Sequence, residues 1–512
     1  MRNRVGLRKL NTMGTDMTVE LRDLMQRAGA TDITITGNQD ASIGGLTADS
    51  RAVEAGFLFA ALPGTNVDGA RFVPMACDRG AAAVLLPHDV SDNVIGAIPD
   101  DMAVLQAGNV RRALAKLSAG FYAAQPERVV AVTGTNGKTS VAAFVRQLWA
   151  FAGKRAASLG TVGLVMPDRV DVSAHTTPEP VTLHRMLRDL VREDVTHLAL
   201  EASSHGLQQR RLDGVRLRAA AFTNISRDHL DYHPTFEDYF SQKLRLFEEL
   251  LPADGVAVVD ADSPGLEKVC AVAQAREIPL LTTGRTGRDV RIAKIRPDGL
   301  AQHLTLICRD TTFDVRLPLV GGFQASNVAV AVGLCVACGA SPEEIIPGIA
   351  QLSGARGRLE PVGQTSSGAG VFVDYAHTPD AVRTALSALR PYASGRLIVV
   401  FGCGGDRDPG KRPEMGEAAA DGADVVIVTD DNPRTEDAAR IRADALAGVR
   451  TAHEIGDRAA AIASAISQAE AGDVVLIAGK GHETGQEING VKHPFVDHDA
   501  AAAAIAGTMY RP

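Results

Sequence analysis

The chain has 512 residues, of which 45% are hydrophobic and 22% are charged, and its formal net charge is −8. This length predicts two to four domains, and the composition is ordinary for a globular protein. The negative charge argues against nucleic acid as a main partner. No apolar run approaches the roughly 20 residues of a membrane span, so we expect no membrane association. The six scattered cysteines fit a reducing compartment, and we expect a cytoplasmic protein.

The first 16 residues carry basic side chains without a following apolar core, so they predict a disordered extension and not a secretory signal. The alternative is a start codon assigned too early, with Met13 or Met17 as the true start. Residues 17–108 predict a small mixed domain, and residues 109–124 predict a connecting helix.

Strands and helices alternate from Glu127 onward, which predicts a parallel sheet covered by helices. A second alternating series begins near Gly370, after a glycine-rich stretch at 353–357. We therefore expect an α/β protein of three domains, with bounds at 17–108, 109–353 and 354–512. The predicted strands are Val129–Val132, His197–Leu200, Ala219–Phe222 and Val256–Val259 in the central domain, and Val371–Val373, Leu397–Phe401, Val425–Val428 and Val474–Ile477 in the third.

The most informative motif is the turn Gly-Thr-Asn-Gly-Lys-Thr-Ser at 134–140, which lies between a predicted strand and a helix-like segment. Its glycines let backbone N–H groups close on phosphate oxygens, and the helix N-terminus adds positive potential. Lys138 would reach the terminal phosphates, and the Thr139 hydroxyl would hold Mg²⁺. The motif predicts a nucleoside triphosphate site, with glycine spacing more compact than the common Walker pattern.

Polar clusters follow the predicted strands, at the sheet edge where open α/β sheets bind ligands. They lie at 201–206 and 223–233 in the central domain, and at 374–379, 401–408, 430–436 and 478–483 in the third. Glu201 is a carboxylate that could take Mg²⁺. Arg407 and Arg434 beside Glu483 suit a zwitterionic substrate, because arginine pairs with carboxylates and glutamate pairs with an ammonium group.

The chain resembles the Mur ligase family, the ATP-dependent amide-forming enzymes of peptidoglycan precursor synthesis, in five motifs at 134–139, 201–206, 228–233, 374–379 and 431–434. The resemblance covers nearly all of the chain after Met17. It implies an N-terminal mixed α/β domain for a UDP substrate, a central P-loop ATPase-like domain for ATP, and a Rossmann-like C-terminal domain for an amino acid. It also implies that a substrate carboxylate becomes an acyl phosphate, which an amine then attacks.

Within the family, the motifs are most similar to those of members that add meso-diaminopimelate to UDP-N-acetylmuramoyl-L-alanyl-D-glutamate. The resemblance then implies a set of contacts for each substrate. The ATP contacts are Gly134, Thr135, Asn136, Gly137, Lys138, Thr139, Ser140, Asn327, Arg358 and Asp374. The contacts to the UDP-muramoyl dipeptide are Ser50, Thr176, Thr177, Ser203, Gln209 and Arg211. The diaminopimelate contacts are Arg407, Asp431, Asn432, Pro433, Arg434, Gly479 and Glu483.

The resemblance implies that Thr139, Glu201, His229 and Lys243 hold Mg²⁺, and that Lys138, His229 and Lys243 are catalytic. Lys243 falls where the family carries a carboxylated lysine, whose CO₂-derived carbamate can coordinate a cation that a free ammonium cannot. The residues around it, taken alone, predict only a lysine on a helix surface.

Two positions depart from the family pattern: Gln324 stands where relatives usually have Asn, and His175 where they often have Asn. Three alternatives stay open. The chain could add L-lysine at the same step, although Arg434 favours diaminopimelate with its second carboxylate. It could also be a folylpolyglutamate synthase-like ligase, or a nucleotide-dependent switch without bond-forming chemistry. We expect a monomer that acts on small molecules.

Overall fold

The computed structural model describes residues 7–8, 17–64, 68–172, 175–229 and 232–510. The predicted extension at 1–16 lies outside the described residues, except that 7–8 form a short strand. Among the described residues, no helix combines the length and the apolar character that a membrane crossing requires. The chain divides into two compact units, Met1–Thr283 with Val330–Ser341, and Gly284–Ala329 with Pro342–Pro512.

The N-terminal part of the first unit is a small mixed α/β layer. Strand β1 (Leu7–Arg8) belongs to the other sheet of this unit, where it pairs with the strand at Val170–Asp171. The strands of the N-terminal layer are β2 (Val19–Glu20), β3 (Ile33–Thr36), β4 (Ser42–Ile43), β5 (Gly45–Thr47), β6 (Phe57–Ala60), β7 (Ala83–Pro87) and β8 (Ala103–Ala107). Its helices are α1 (Leu21–Ala28), α2 (Val73–Asp78), α3 (Asp92–Ile95) and α4 (Val110–Tyr122). Strands β5 to β8 run parallel, and β3 adds an antiparallel edge to β8. Helix α4 is the predicted connecting helix, and the Asn109 side chain caps its N-terminus by accepting from Arg112 N.

The rest of the first unit is built on a mostly parallel sheet. Its strands are β9 (Arg128–Thr133), β10 (Ala156–Gly160), β11 (Gly163–Val165), β12 (Val170–Asp171), β13 (His197–Glu201), β14 (Ala219–Phe222), β15 (Val256–Asp260) and β16 (Leu280–Gly284). Its helices are α5 (Lys138–Phe151), α6 (Pro180–Arg192), α7 (Ser204–Gln208), α8 (Phe236–Arg245) and α9 (Leu266–Ala275). The parallel order is β10-β13-β9-β14-β15-β16, so β9 lies between β13 and β14. The chain adds strands on one side of β9 as far as β13 and on the other side from β14 onward. At such a switch point, an open parallel sheet forms a crevice for a ligand.

The second unit begins with an antiparallel meander and continues into a second parallel sheet. Its strands are β17 (Val290–Asp298), β18 (Ala301–Cys308), β19 (Thr311–Leu317), β20 (Glu360–Gln364), β21 (Gly370–Asp374), β22 (Leu397–Phe401), β23 (Val425–Val428), β24 (His453–Glu454), β25 (Val474–Ala478), β26 (Gly485–Ile488) and β27 (Val491–Pro494). Helix α10 (Gly322–Ala337) runs from the second unit into the first. The other helices are α11 (Pro342–Ile345), α12 (Pro379–Leu389), α13 (Lys411–Gly422), α14 (Ala438–Leu446), α15 (Arg458–Ser467) and α16 (Asp497–Ile505).

The second sheet has the order β20-β21-β25-β22-β23-β24, in which only β20 is antiparallel. Both faces of its strands are covered. In β22, Leu397 and Val399 pack into one apolar cluster, while Ile398 and Val400 pack into another on the opposite face. A strand buried on both faces reads as a continuous apolar run, which is why these strands were predictable. The predicted α/β fold class with parallel sheets is confirmed.

Candidate active site

The phosphate-loop motif lies where the sequence places it, between β9 and α5. Gly134 has a φ of +144°, and a Cβ added there would lie 2.0 Å from Thr223 Oγ1. Gly137 precedes α5 with a φ of +88°. The Thr135 N–H donates to the Asn224 carbonyl, and the Asn136 N–H donates to the Asn224 side chain. The loop after β14 therefore fixes the turn through hydrogen bonds to Asn224. The turn needs glycine at position 134 because the backbone has a positive φ and a Cβ would collide with Thr223.

Lys138 bends back over this turn. Its Nζ donates to the Gly134 carbonyl at 2.8 Å and to the Thr135 carbonyl at 2.7 Å. The ammonium group thus lies at the mouth of the loop whose backbone N–H groups would close on phosphates.

A buried carboxylate lies beside the start of α5. Thr139 Oγ1 donates to Glu201 Oε2 at 3.0 Å, and Thr161 donates to both Glu201 oxygens through its N–H at 2.8 Å and its hydroxyl at 3.1 Å. Glu201 is only 2% exposed. A hydroxyl and one carboxylate are the small oxygen-donor set that Mg²⁺ takes when phosphates and waters complete its shell. Thr161 was missed by the sequence analysis, although it follows the apolar run of β10 directly after Gly160.

Lys243 is wrongly predicted as a helix-surface lysine by its neighbours in sequence, since it is only 1% exposed. Its Nζ donates to the Gly134 carbonyl at 2.8 Å and lies 4.4 Å from the Tyr239 ring centre. Burial, with the nearby charge of Lys138, holds the pKa of Lys243 well below its usual value. The spacing of Phe236, Tyr239 and Phe240 on α8 puts position 243 on the same apolar stripe, which is the signal that could have found it.

His229 and its neighbours form an aromatic cluster above α7 and α8. His229 has a φ of +54°, is half-exposed, and its Nε2 lies 3.6 Å from Asp228 Oδ2. Its ring is 5.2 Å from that of His205 and 6.0 Å from that of Tyr239. His229 and Lys243 therefore both lie against Tyr239, close to the phosphate loop. Leu230 and Asp231 of the same motif lie outside the described residues.

Most of the expected UDP-substrate residues are brought together. Thr177 Oγ1 donates to the Glu201 carbonyl at 2.9 Å and lies 3.0 Å from Ser203 Oγ. Arg211 donates to the Thr177 carbonyl at 2.7 Å and to Gln209 Oε1 at 2.8 Å.

Two expected UDP-substrate residues remain. Thr176 Oγ1 lies 3.2 Å from Thr161 Oγ1, so it belongs to the same group. Ser50 instead lies in a 3₁₀ turn at Ser50–Ala52 of the N-terminal layer.

The expected adenine and ribose residues lie in the second unit. Asp374 accepts from the Leu359 and Ala376 N–H groups at 2.6 and 2.7 Å, and burial raises its pKa against the opposing effect of Arg358. Gln324 is fully buried and links Asn327 to Arg358. Its side chain accepts a hydrogen bond from the Asn327 side chain at 3.2 Å and donates one to the Arg358 carbonyl at 3.5 Å. The departure at Gln324 is thus a supporting contact between two expected nucleotide residues.

The charged loops after β23 and β25 meet at one edge of the second sheet. Lys480 is fully buried and donates to Asn432 Oδ1 at 2.9 Å and to Glu483 Oε2 at 2.8 Å. Asn432 donates to the same Glu483 oxygen at 2.9 Å. Burial raises the pKa of Glu483, but Lys480 and Asn432 outweigh it and keep that pKa below its usual value. Lys480 was missed by the sequence analysis, because its contact with Glu483 forms within a turn, where the helix rule for residues three apart does not apply.

The two expected arginines flank Gly404 in the loop after β22. A Cβ at Gly404 would lie 3.0 Å from Arg434 Nη1 and 3.8 Å from Arg407 Cγ. Arg434, with a φ of +52°, donates to the Gly405 carbonyl at 2.6 Å. The cation paired with Glu483 is therefore Lys480. Arg434 instead lies with its Nε 3.5 Å from Glu487 Oε2.

Comparison with known proteins gives matches along most of the chain. Residues 42–122 match the model for the Mur ligase family catalytic domain, residues 132–335 that for the Mur ligase middle domain, and residues 357–481 that for the Mur ligase glutamate ligase domain.

Three similar proteins, two known by sequence and one by a solved structure, match nearly the whole chain. The chain is 50% identical to the UDP-N-acetylmuramoyl-L-alanyl-D-glutamate–2,6-diaminopimelate ligase of Bradyrhizobium diazoefficiens, covering 96% of this chain and 100% of the relative. It is 50% identical to the ligase of the same name from Agrobacterium fabrum, covering 91% and 93%. A solved structure of a ligase with that name superposes with a TM-score of 0.72 at 35% identity, covering 96% and 99%. The chain belongs to the Mur ligase family.

Proposed function

We propose that this chain joins meso-diaminopimelate to UDP-N-acetylmuramoyl-L-alanyl-D-glutamate with ATP, forming an amide, ADP and phosphate. The observation that carries the proposal is a phosphate loop beside a buried carboxylate, in a chain whose full-length relatives bear that ligase name. Residues 17–108 are proposed to bind the UDP end, 109–353 ATP, and 354–512 the amino acid. These substrates are small molecules, and we propose that the enzyme works as a monomer.

In the first step, the D-glutamyl γ-carboxylate attacks the γ-phosphorus of ATP, ADP leaves, and an acyl phosphate forms. Two anions must meet, so positive groups have to neutralise them. The Gly134 and Thr135 carbonyls hold Lys138 over the loop. There its ammonium group can stabilise the negative charge of the transferring phosphoryl group. Thr139 and Glu201 would hold one Mg²⁺, and His229 would assist a second metal; such ions would supply further charge neutralisation.

Lys243 suits carboxylation because its surroundings favour the neutral amine, the form that reacts with CO₂. The resulting carbamate would be an anion in place of a second ammonium group beside Lys138, and it could help to hold a metal. Its attachment at the Gly134 carbonyl and Tyr239 ring fixes the side chain at the phosphate loop.

In the second step, an amine of diaminopimelate attacks the acyl carbon, phosphate leaves, and the nitrogen loses a proton. Arg407 and Arg434 are proposed to bind a carboxylate of this substrate, and Glu483 and Asp431 to bind its distal ammonium group. L-lysine lacks the second carboxylate, so Arg407 and Arg434 would have no substrate carboxylate to bind at that end.

The remaining expected residues take supporting roles. Asn327, Arg358 and Asp374 are proposed to contact adenine and ribose, while Ser50, Thr176, Thr177, Ser203, Gln209 and Arg211 are proposed to contact the UDP-muramoyl dipeptide. Five of the cysteines, Cys77, Cys308, Cys335, Cys338 and Cys403, are free thiols, which supports a cytoplasmic location.

The test is phosphate release from ATP in the presence of the UDP-muramoyl dipeptide, with either meso-diaminopimelate or L-lysine as acceptor. We expect release with diaminopimelate and at least about tenfold lower kcat/KM with lysine, since lysine lacks the carboxylate whose charge-assisted hydrogen bonds contribute about 1.5–3 kcal/mol. Equal or faster turnover with lysine would overturn the substrate assignment. Release without any amino acid would instead point to a nucleotide switch.

A further inference from the structure

A fully buried ion pair lies beneath the proposed amino-acid site. Arg458, the first residue of α15, and Asp497, the first residue of α16, both have side chains that are 0% exposed. Two parallel bonds of 2.7 Å join them, from Arg458 Nε to Asp497 Oδ1 and from Arg458 Nη2 to Asp497 Oδ2. A buried pair of this kind is weak evidence for stability, because two desolvated charges cost about as much as their attraction returns. Its retention calls for another explanation.

Arg458 also reaches the ends of two strands that lead into the site. Its Nη2 donates to the Ala478 carbonyl at 2.9 Å, at the end of β25, and its Nη1 donates to the Asp430 carbonyl at 3.4 Å, after β23. The same Nη1 lies 3.9 Å from Asp431 Oδ2. One guanidinium group therefore ties together the two loops that carry the proposed diaminopimelate residues.

Asp431 is a buried carboxylate with one oxygen that accepts no hydrogen bond from the described residues. It is 9% exposed, and its Oδ2 has no hydrogen-bond partner among the described residues. A Cβ at Gly479 would lie 2.7 Å from this oxygen, so the carboxylate abuts a position that only glycine leaves open. A buried acceptor without a hydrogen-bond partner among the described residues is a group that a donor from outside the chain would satisfy.

We propose that Arg458 and Asp497 are positioning residues for the amino acid: Arg458 holds Asp431 as a carboxylate facing the substrate ammonium, and Asp497 holds Arg458 in place. This rests on the proposed function, because it takes the amino-acid site as given. Neither residue touches the substrate in this scheme. They act through Asp431 and through the spacing of the loops after β23 and β25.

The charges around Asp431 support this reading. Burial raises the pKa of Asp431, and Glu483 and Asp497 add to the rise, while Lys480 and Arg458 oppose it. Two cations thus face three carboxylates in this group, and the ammonium of an incoming amino acid would balance the charge. Removing Arg458 takes away one of the two cations that keep Asp431 ionised.

The test uses the double variant Arg458→Met/Asp497→Leu in the full chain, because removing both charges avoids leaving one buried alone. We expect a folded protein with KM values for ATP and the UDP substrate unchanged, and a KM for diaminopimelate raised roughly tenfold. The ratio of variant to wild-type KM for diaminopimelate should grow as pH falls from about 9 to about 6, since the loss of Arg458 raises the pKa of Asp431 more than the loss of Asp497 lowers it. Arg458→Lys, which keeps the charge, should reduce that pH dependence.

Arg396→Met is the control. Arg396 pairs with Asp473 at 2.7 Å at the opposite end of the same sheet, before β22 and β25, and should leave the KM for diaminopimelate unchanged. A folded double variant with a diaminopimelate KM within about twofold of wild type at every pH would overturn the inference. Equal losses for all three substrates would also overturn it, since they would mark a purely structural role. If wild type itself shows no diaminopimelate-dependent turnover, the proposed function has failed instead.

Discussion

Lys243 is the residue whose chemistry depends most on its surroundings. It is buried against the Gly134 carbonyl and the Tyr239 ring, with its pKa lowered by burial and by Lys138. We expect Lys243→Ala to lower kcat by roughly 100-fold or more, because a group at the phosphoryl-transfer centre is lost. Phosphate release with saturating substrates measures this. Short carboxylates such as acetate should restore part of the activity by entering the space that the carbamate would fill.

Lys268→Ala is the matched control for this substitution. Lys268 also places its ammonium over an aromatic ring of α8, 5.0 Å from the Phe240 centre, but it is an exposed residue of α9. Its removal should leave kcat within about twofold of wild type. Wild-type activity in Lys243→Ala would remove Lys243 from the catalytic group, and a loss that no carboxylate relieves would argue against the carbamate.

The turn between β9 and α5 is the element that we propose binds the phosphates of ATP. Gly134 has a φ of +144°, and an added Cβ would lie 2.0 Å from Thr223 Oγ1 and 3.0 Å from the Asn224 backbone N. Gly134→Ala must therefore shift the loop after β14 or distort the turn, at a cost of about 1–3 kcal/mol in backbone strain. We expect ATP affinity, measured by calorimetry, to fall roughly 10- to 100-fold.

Gly108→Ala provides the comparison for that element. A Cβ at Gly108 meets nothing within 4 Å, and its φ is not in the left-handed region. Its ATP affinity should match wild type. If Gly134→Ala binds ATP as tightly as Gly108→Ala does, the turn is not the phosphate site.

Sequence patterns predicted elements better than they predicted which side chains meet. Ala219–Phe222 and Leu397–Phe401 coincide with β14 and β22, because strands buried on both faces are continuous apolar runs between polar loops. The contacts of Thr161 with Glu201, and of Lys480 with Glu483, arise between segments or within a turn whose shape no periodicity records. Lys243 contacts Gly134, a residue far away in sequence, so only the apolar stripe of α8 indicated its burial.

At the scale of the whole molecule, one buried histidine and two partly buried ones connect stability to pH. The pKa values of His184 and His197 in the first unit and of His482 in the second are lowered to about 4, in each case chiefly by burial. The unfolded chain, with histidine pKa values near 6.5, therefore takes up protons first as the pH falls. Folded stability should be highest above about pH 6.5 and should decline toward pH 4 as protonation favours the unfolded state.

His184 isolates this effect. It is 1% exposed, and its Nε2 lies 3.2 Å from the Asp213 carbonyl, a contact that suits a neutral ring donating one hydrogen. A pKa of about 4 instead of 6.5 corresponds to about 3 kcal/mol of unfolding free energy lost between those pH values. His184→Gln keeps a donor and removes the titration, so its melting temperature should fall less than that of wild type between about pH 7 and about pH 4.5. Parallel declines in the two proteins would mean that His184 titrates alike in the folded and unfolded chains, because only a group that titrates differently in the two states can tilt the pH dependence.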